Sequence, residues 1–275
     1  MFDHADPNAP RALMQDPAFV AALRLCGQHP LRLPGGLILL QRRIFGLRML
    51  MLPRAAPPPD LARQLAALGL QRRPLILSPE GTGWLPPSLP LARPQVRAIL
   101  SLHGSATARR AQLHPKWRNQ LAAARSRGLA HTVAALPADP DHPVLRLEER
   151  QASARGYANW PAPLTAAFAA TAPAQTHLFR ARLGDRIVAH MLFLSHGSGA
   201  TYHIGHITDC GKAVCAHNLL LWEASRHFAD RGMQSLDLGL LHPATPDLNR
   251  FKLRTGAEEV PTGGTHLYWH PFAAP

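Results

Sequence analysis

The chain has 275 residues, enough for one large domain or two of roughly 100–150 residues each, and 46% hydrophobic against 17% charged residues excludes a disordered chain. Thirty Lys and Arg against 17 Asp and Glu give a net charge of +13, which favours a phosphate-rich partner such as a nucleotide cofactor, tRNA or an anionic surface, although the cations are scattered and form no nucleic-acid tail. Three cysteines, Cys26, Cys210 and Cys215, are too few for a disulfide framework, and with no basic region and long apolar stretch at the start of the sequence a reducing cytoplasm is expected.

Asp16 and Pro17 open a helix expected to reach about Cys26, where Gly27 ends it. Leu37–Gln41 and Leu47–Leu52 read as two strands and a turn. Arg42, Arg43 and Arg48 interrupt this most apolar stretch, so no integral membrane span is expected. Asp60 opens a second helix through Leu61, Leu65 and Leu68, closed by Gly69, and a strand follows at Pro74–Leu77. Gly81 to Pro94 is rich in Gly and Pro and reads as a loop; Gly81-Thr82-Gly83 lacks the third glycine of a dinucleotide loop. Val96–Leu102 is a strand and Ser105–Leu113 a helix. A basic helix then carries Lys116, Arg118, Arg125 and Arg127 and stops at Gly128.

Three prolines and three aspartates between Ala135 and Pro143 mark a junction. The expected division is therefore 1–135 and 136–275. Beyond it a helical region begins at about Val144. His177–Leu183 and Arg186–Ser195 flank Gly184-Asp185 as a hairpin, and Ala200–Ile204 adds a third strand. One helix is expected over 213–230, buried through Val214, Leu220, Leu221, Ala224 and Phe228. Ser235–Leu238 is a strand, Pro243 to Gly256 a loop with a short helix, and His266–Trp269 the last strand. The fold class is α/β, with mixed, mostly antiparallel sheets flanked by helices.

Several of these segments, in this order, resemble the Fem peptidyltransferases and other double-GNAT proteins. Leu50–Met51–Leu52–Pro53–Arg54 is similar to a strand ending in Pro-Arg in their first half, and Leu113–His114–Pro115–Lys116–Trp117–Arg118–Asn119 to their basic segment. Gly184-Asp185, Tyr202, Leu221–Trp222–Glu223–Ala224 and Leu236–Asp237–Leu238–Gly239 fall in family order. Phe251–Lys252–Leu253–Arg254–Thr255–Gly256 resembles the closing Phe-Lys-x-x-Phe-Gly, with Thr255 replacing the usual aromatic residue.

The resemblance implies two tandem GNAT-like halves, the first binding the acceptor and the second holding the donor site. It implies an N-acyltransferase that moves an acyl group from an activated donor, acyl-CoA, to a primary amine of a small molecule or peptide. It also places Lys252 at the reaction centre with Phe251 beside it. An amine attacking an ester or thioester generates an oxyanion, which a fixed ammonium in a water-poor cleft stabilises. Lys116, Arg118 and Arg54 are candidate phosphate ligands, Tyr202 a substrate-site candidate, and Asp237 a residue to orient or deprotonate the amine. The bland readings are a solvated basic face for the cations and a turn-capping role for Asp237.

Where GNAT enzymes carry a glycine-rich phosphate loop, Gly211–Lys212–Ala213–Val214–Cys215–Ala216 keeps a cation, Lys212, but no central glycine. An aminoacyl-tRNA donor, with a peptide or peptidoglycan precursor as acceptor, is therefore the alternative, and a non-catalytic binding module with the same fold is the second. The residues Cys210, Cys215 and His217, with His203 and His206, have the wrong spacing for the common zinc motifs, so no metal is expected.

Overall fold

A computed structural model of the chain describes residues 11–44 and 46–271. Their contacts group them into two compact units, one of Met14–Val96 with the residues from Val260 on, the other of Arg97–Glu259 with the residues up to Leu13.

In the first unit α1 (Pro17–Leu25) starts at Asp16, whose carboxylate accepts from the Ala18 amide at 2.9 Å and so satisfies one of the unpaired first-turn donors. The sheet contains β1 (Leu31–Arg32), β2 (Ile38–Ile44), β3 (Leu47–Pro53), β4 (Leu75–Ser78) and β5 (Leu89–Ala92), with α2 (Leu61–Ala67) between β3 and β4. Strand β2 runs through the two arginines expected in a turn, because Arg42 and Arg43 pair with Met49 and Arg48. Phe45 lies outside the described residues. Asp60 makes no cap to α2; its carboxylate accepts instead from Arg63 and Gln64. The expected loop 81–94 contains β5, an edge strand in which Pro90 is tolerated because a partner is needed on one side only. The last strand of the chain, Thr265–Tyr268, returns between β4 and β5 and pairs with both. Leu39, Leu50, Leu52, Leu75 and Leu77 form the core beside Leu61 and Leu65.

The second unit follows with β6 (Val96–Ser101), α3 (Ala106–Gln112), α4 (Pro115–Ser126), β7 (Ala130–Ala134), α5 (Pro143–Arg155), α6 (Ala162–Thr171), β8 (Thr176–Leu183), β9 (Arg186–His196), β10 (Gly199–Ile207), α7 (Asp209–Ala213), α8 (Ala216–Ala229), β11 (Ser235–Leu241), α9 (Pro246–Leu253) and β12 (Glu258–Pro261); Thr265–Tyr268 is thus β13. The sheet order is β12-β6-β11-β10-β9-β8-β7. Strands β10 and β11 run parallel, as a crossover through α8 allows, whereas the β7–β8, β8–β9 and β9–β10 pairs are antiparallel. The Pro- and Asp-rich segment 135–143 is the β7–α5 connection and lies within this unit.

One face of the meander carries Phe179, Met191 and Phe193, against which α4 sets Trp117, Leu121 and Ala124 and α8 sets Leu220, Ala224 and Phe228. The three phenylalanines meet edge to face, with Phe179–Phe193 at 5.7 Å and Phe193–Phe228 at 5.6 Å. The expected single helix over 213–230 is broken. Cys215 adopts φ 56° and turns the chain from α7 into α8. Thr208 caps α7 by accepting from the Gly211 amide at 3.0 Å, and Gly211 lies so close to β9 that a Cβ there would overlap the Val188 carbonyl oxygen.

Several histidines of this unit are half-buried. The rings of His177 and His227 share a hydrogen bond at 3.2 Å, and His177 reaches the Ser195 hydroxyl, also at 3.2 Å. Burial pushes His177, His190, His203 and His217 down to about 4, and for His177 and His190 neighbouring cationic side chains add to the shift.

Two outcomes are expected. Gly211→Ala forces apart a backbone contact and lowers stability by about 1–3 kcal/mol, read from urea unfolding. The half-buried neutral histidines contribute stability that is fully present above the ordinary value of 6.5 and is lost as pH falls toward 4. The thermal midpoint therefore drops steadily over that window, and His177→Gln reduces the slope.

Candidate functional site

Strands β10 and β11 pair for three residues, Gly199–Thr201 with Ser235–Asp237, and the ladder stops there although both run on. A register shift against β9 between Tyr202 and Ile204 bends β10 at the same level, as a bulge does. Beyond this point the two strands part and leave a wedge between Tyr202–Ile207 and Leu238–Leu241.

Asp237 fixes the β11 side of the wedge. Its Oδ2 accepts from Arg97 Nη1 of β6 at 2.6 Å and its Oδ1 from the Gly239 amide at 2.8 Å, so both carboxylate oxygens are engaged. Gly239, at φ 82°, takes a left-handed turn that other residues resist. Against this turn lies Lys252 of α9, whose Nζ donates to the Leu240 carbonyl at 2.8 Å. Lys252 is only 5% exposed. Burial pushes its ammonium down to about 8, and the negative charge of Asp237 opposes the shift. Phe251 stands between the Trp117 ring at 6.2 Å and the His217 ring at 6.4 Å. A backbone bond from the His114 amide to the Arg254 carbonyl, 3.0 Å, ties α9 to the start of α4.

On β10, the hydroxyl of Tyr202 occupies the space above Gly205, where any Cβ would overlap it. Burial, followed by the charge of Glu148, pushes this phenol up, so it stays protonated. Glu148 itself, buried on α5, escaped the reading of the sequence. Its Oε1 accepts from the Tyr157 hydroxyl at 2.9 Å and from Asn159 Nδ2 at 2.8 Å. Asn159 also donates to the His203 carbonyl at 3.1 Å, and Gln151 to the Gly205 carbonyl at 3.0 Å. A carboxylate thus fastens the α5–α6 connection to β10. The only sequence signal was a Glu and a Gln three apart on one helix face, which many solvated helices share.

The structure brings Lys252, Phe251, Asp237 and Tyr202 to the two strands and the helix that bound the wedge. The cations are elsewhere on their elements. Lys116 is exposed at the first turn of α4, and Arg118 donates to the Ala111 carbonyl at 3.3 Å. Lys212 is exposed on α7 and paired with Asp209 at 2.7 Å. Arg54 belongs to the first unit, just after β3, with φ 53° and its amide bonded to the Ser78 carbonyl at 2.7 Å. In the 211–216 segment the amides of Val214 and Cys215 donate to the Cys210 and Lys212 carbonyls, at 3.1 and 3.0 Å, and Arg127 donates to the Ala213 carbonyl. Among the described residues no cluster of three or more His, Cys, Asp or Glu side chains could hold a metal ion, and no helix is long and apolar enough to cross a membrane.

No curated protein matches the sequence significantly. Among solved structures the chain is similar to FemX, with a TM-score of 0.72 at 11% identity over 97% of this chain and 94% of that one. It is also similar to a conserved protein of unknown function from Bacteroides thetaiotaomicron, with a TM-score of 0.60 at 11% identity over 94% and 92%. The C-terminal domain of a putative lysylphosphatidylglycerol synthetase from Agrobacterium fabrum gives 0.56 at 14% identity over 93% and 88%. These likenesses are of fold. The sequence profile described as "Acetyltransferase (GNAT) domain" matches residues 108–252, more than half of the 275-residue chain, and the chain belongs to that family.

Proposed function

We propose that the protein transfers an acyl group from an activated donor, an acyl-CoA, to a primary amine. The observation that carries this reading is the buried ammonium of Lys252 at the mouth of the wedge between β10 and β11. The amine attacks the thioester carbonyl, the C–N bond forms, and the C–S bond breaks as the tetrahedral intermediate collapses. Lys252 uses one N–H on the Leu240 carbonyl and keeps two for the developing oxyanion, in surroundings where a fixed charge is worth far more than in water. The protonated phenol of Tyr202 supplies a proton to the leaving thiolate, and the proton lost by the amine returns through solvent to the phenolate, so that Tyr202 ends protonated as it began. Positioning of amine and carbonyl contributes much of the acceleration.

Acceptor binding falls to the first unit, where an open cavity of about 500 Å³ is lined by Thr82, Arg93 and His266 among others. Lys116, Arg118 and Lys212 are exposed or half-buried cations suited to an anionic donor, and Arg54 to an anionic acceptor. With three cysteines, too few for a disulfide framework, the protein suits a reducing cytoplasm.

A second reading, an aminoacyl-tRNA donor with a peptide or peptidoglycan precursor as acceptor, is favoured by the amides of Val214 and Cys215. They are already bonded within the chain, which leaves fewer donors for a pyrophosphate. The +13 net charge suits either donor. A binding module without turnover would hold a donor and transfer nothing.

Thermal midpoints with and without ligand separate the donors. At about 100 times its dissociation constant a donor adds about 2.7 kcal/mol. A rise with an acyl-CoA supports the first reading, and a rise with tRNA alone moves the assignment to the second. With the donor known, Lys252→Met lowers kcat by about 10²–10³-fold, measured at saturating substrate. Since the ammonium is the working form, kcat in the wild type falls as pH rises through about 8. In Lys252→Arg, whose charge persists, that fall disappears; an unchanged kcat in Lys252→Met refutes the role of Lys252.

A further inference from the structure

Beside Thr255, which follows α9, the second unit holds a small cavity of about 10 Å³. Its walls are α3, α4 and α8 with β6, and every residue lining it is buried. The lining is unusual in what it offers. Arg109, Trp117 and Trp222 all border the cavity, and the Nε of Arg109 and the indole Nε1 atoms of both tryptophans are buried without an acceptor among the described residues. Each such donor left unpaired costs about 1–3 kcal/mol, so three around one cavity are not a neutral feature of packing.

The same cavity has two oxygen atoms able to accept. Ser225 Oγ donates its proton to the Trp222 carbonyl at 2.7 Å, and Thr255 Oγ1 donates to the Lys252 carbonyl at 2.6 Å. Both hydroxyls have committed their hydrogens and keep lone pairs. The guanidinium of Arg109 is held by its other end, with Nη1 on the Leu102 and Gly104 carbonyls at 3.0 and 2.6 Å, so it cannot turn its Nε elsewhere without breaking those bonds.

We infer that this cavity is the binding site of one resident water molecule, which accepts from two of the three N–H groups and donates to the hydroxyl oxygens of Ser225 and Thr255. The volume matches a single water, and about three hydrogen bonds are usual for a buried one. The site links α4, α8 and the C-terminal turn of α9. Thr255 touches both the water and the backbone of Lys252, so the water helps to hold the helix that carries that lysine. This inference is independent of any acyl-transfer chemistry.

Two measurements test it on the full-length protein. A crystal structure that resolves ordered solvent is expected to show a peak at about 2.7–3.2 Å from at least one indole nitrogen and one of the two hydroxyls. A cavity without density, or indole and guanidinium N–H groups turned onto protein acceptors, overturns the inference. In solution, water-selective cross-relaxation on protein with labelled tryptophan is expected at the indole protons of Trp117 and Trp222 with the sign of a long-lived water, and not at exposed Trp84. Thr255→Val, which removes one acceptor with little change of volume, is expected to abolish or weaken that signal. Wild-type indoles that show no long-lived water refute the site whether or not the variant folds.

Discussion

The arrangement depends on one ion pair. Arg97 of β6 reaches across to Asp237 of β11 at 2.6 Å, with the arginine side chain 6% and the aspartate 18% exposed. Breaking such a pair leaves a charge stranded in a poorly solvated place, at a cost of about 3–5 kcal/mol. It sits on the residue where β11 ceases to pair with β10. The second oxygen of the same carboxylate fixes the Gly239 amide, and the turn at Gly239 presents the Leu240 carbonyl to Lys252. The turn at Gly239 and the seat of the lysine thus both rest on this one carboxylate.

The opposite wall has its own anchor. Glu148 gathers Tyr157, Asn159 and, through Gln151, the Gly205 carbonyl, so the bent part of β10 is held from the α5 side while Asp237 holds β11. The choice of lysine at 252 stands out in a chain that meets nearly all its need for positive charge with arginine. Its lysines are Lys116, Lys212 and Lys252, and the first two are exposed. An arginine stays charged under all ordinary conditions, whereas a buried lysine has an adjustable proton affinity. The buried one is pushed down to about 8.

Much of the fold was legible because its elements are strongly patterned. The meander of β8, β9 and β10, the helix before β11 and the cap at Asp16 follow from alternation, turn residues and side-chain capping. Elements on sheet edges were not legible. Strand β5 contains Pro90 and is wholly exposed, β7 has the unremarkable sequence Ala130–Ala134 with every residue exposed, and neither shows the half-buried alternation that marks a strand. The break at Cys215 rests on a backbone angle that its residue type does not announce. The return of β13 to the first unit is a long-range pairing, with Leu267 opposite Ile76, that no local pattern encodes. Of the candidate site, Lys252, Phe251, Asp237 and Tyr202 could be proposed from the sequence chiefly through resemblance. Glu148 was missed because a buried carboxylate on a helix looks like a solvated one until its partners are known.

The most direct test of the central claim is a titration of the lysine side chains by NMR on protein labelled at the lysine ε-carbon, feasible because there are three lysines. The account predicts that one resonance, lost in Lys252→Met, titrates near 8, and that it moves when the bound donor or its product, coenzyme A or deacylated tRNA, is added. If Lys252 titrates at the ordinary 10.5 and responds to neither, it is a solvated surface group and the wedge is not where the chemistry occurs.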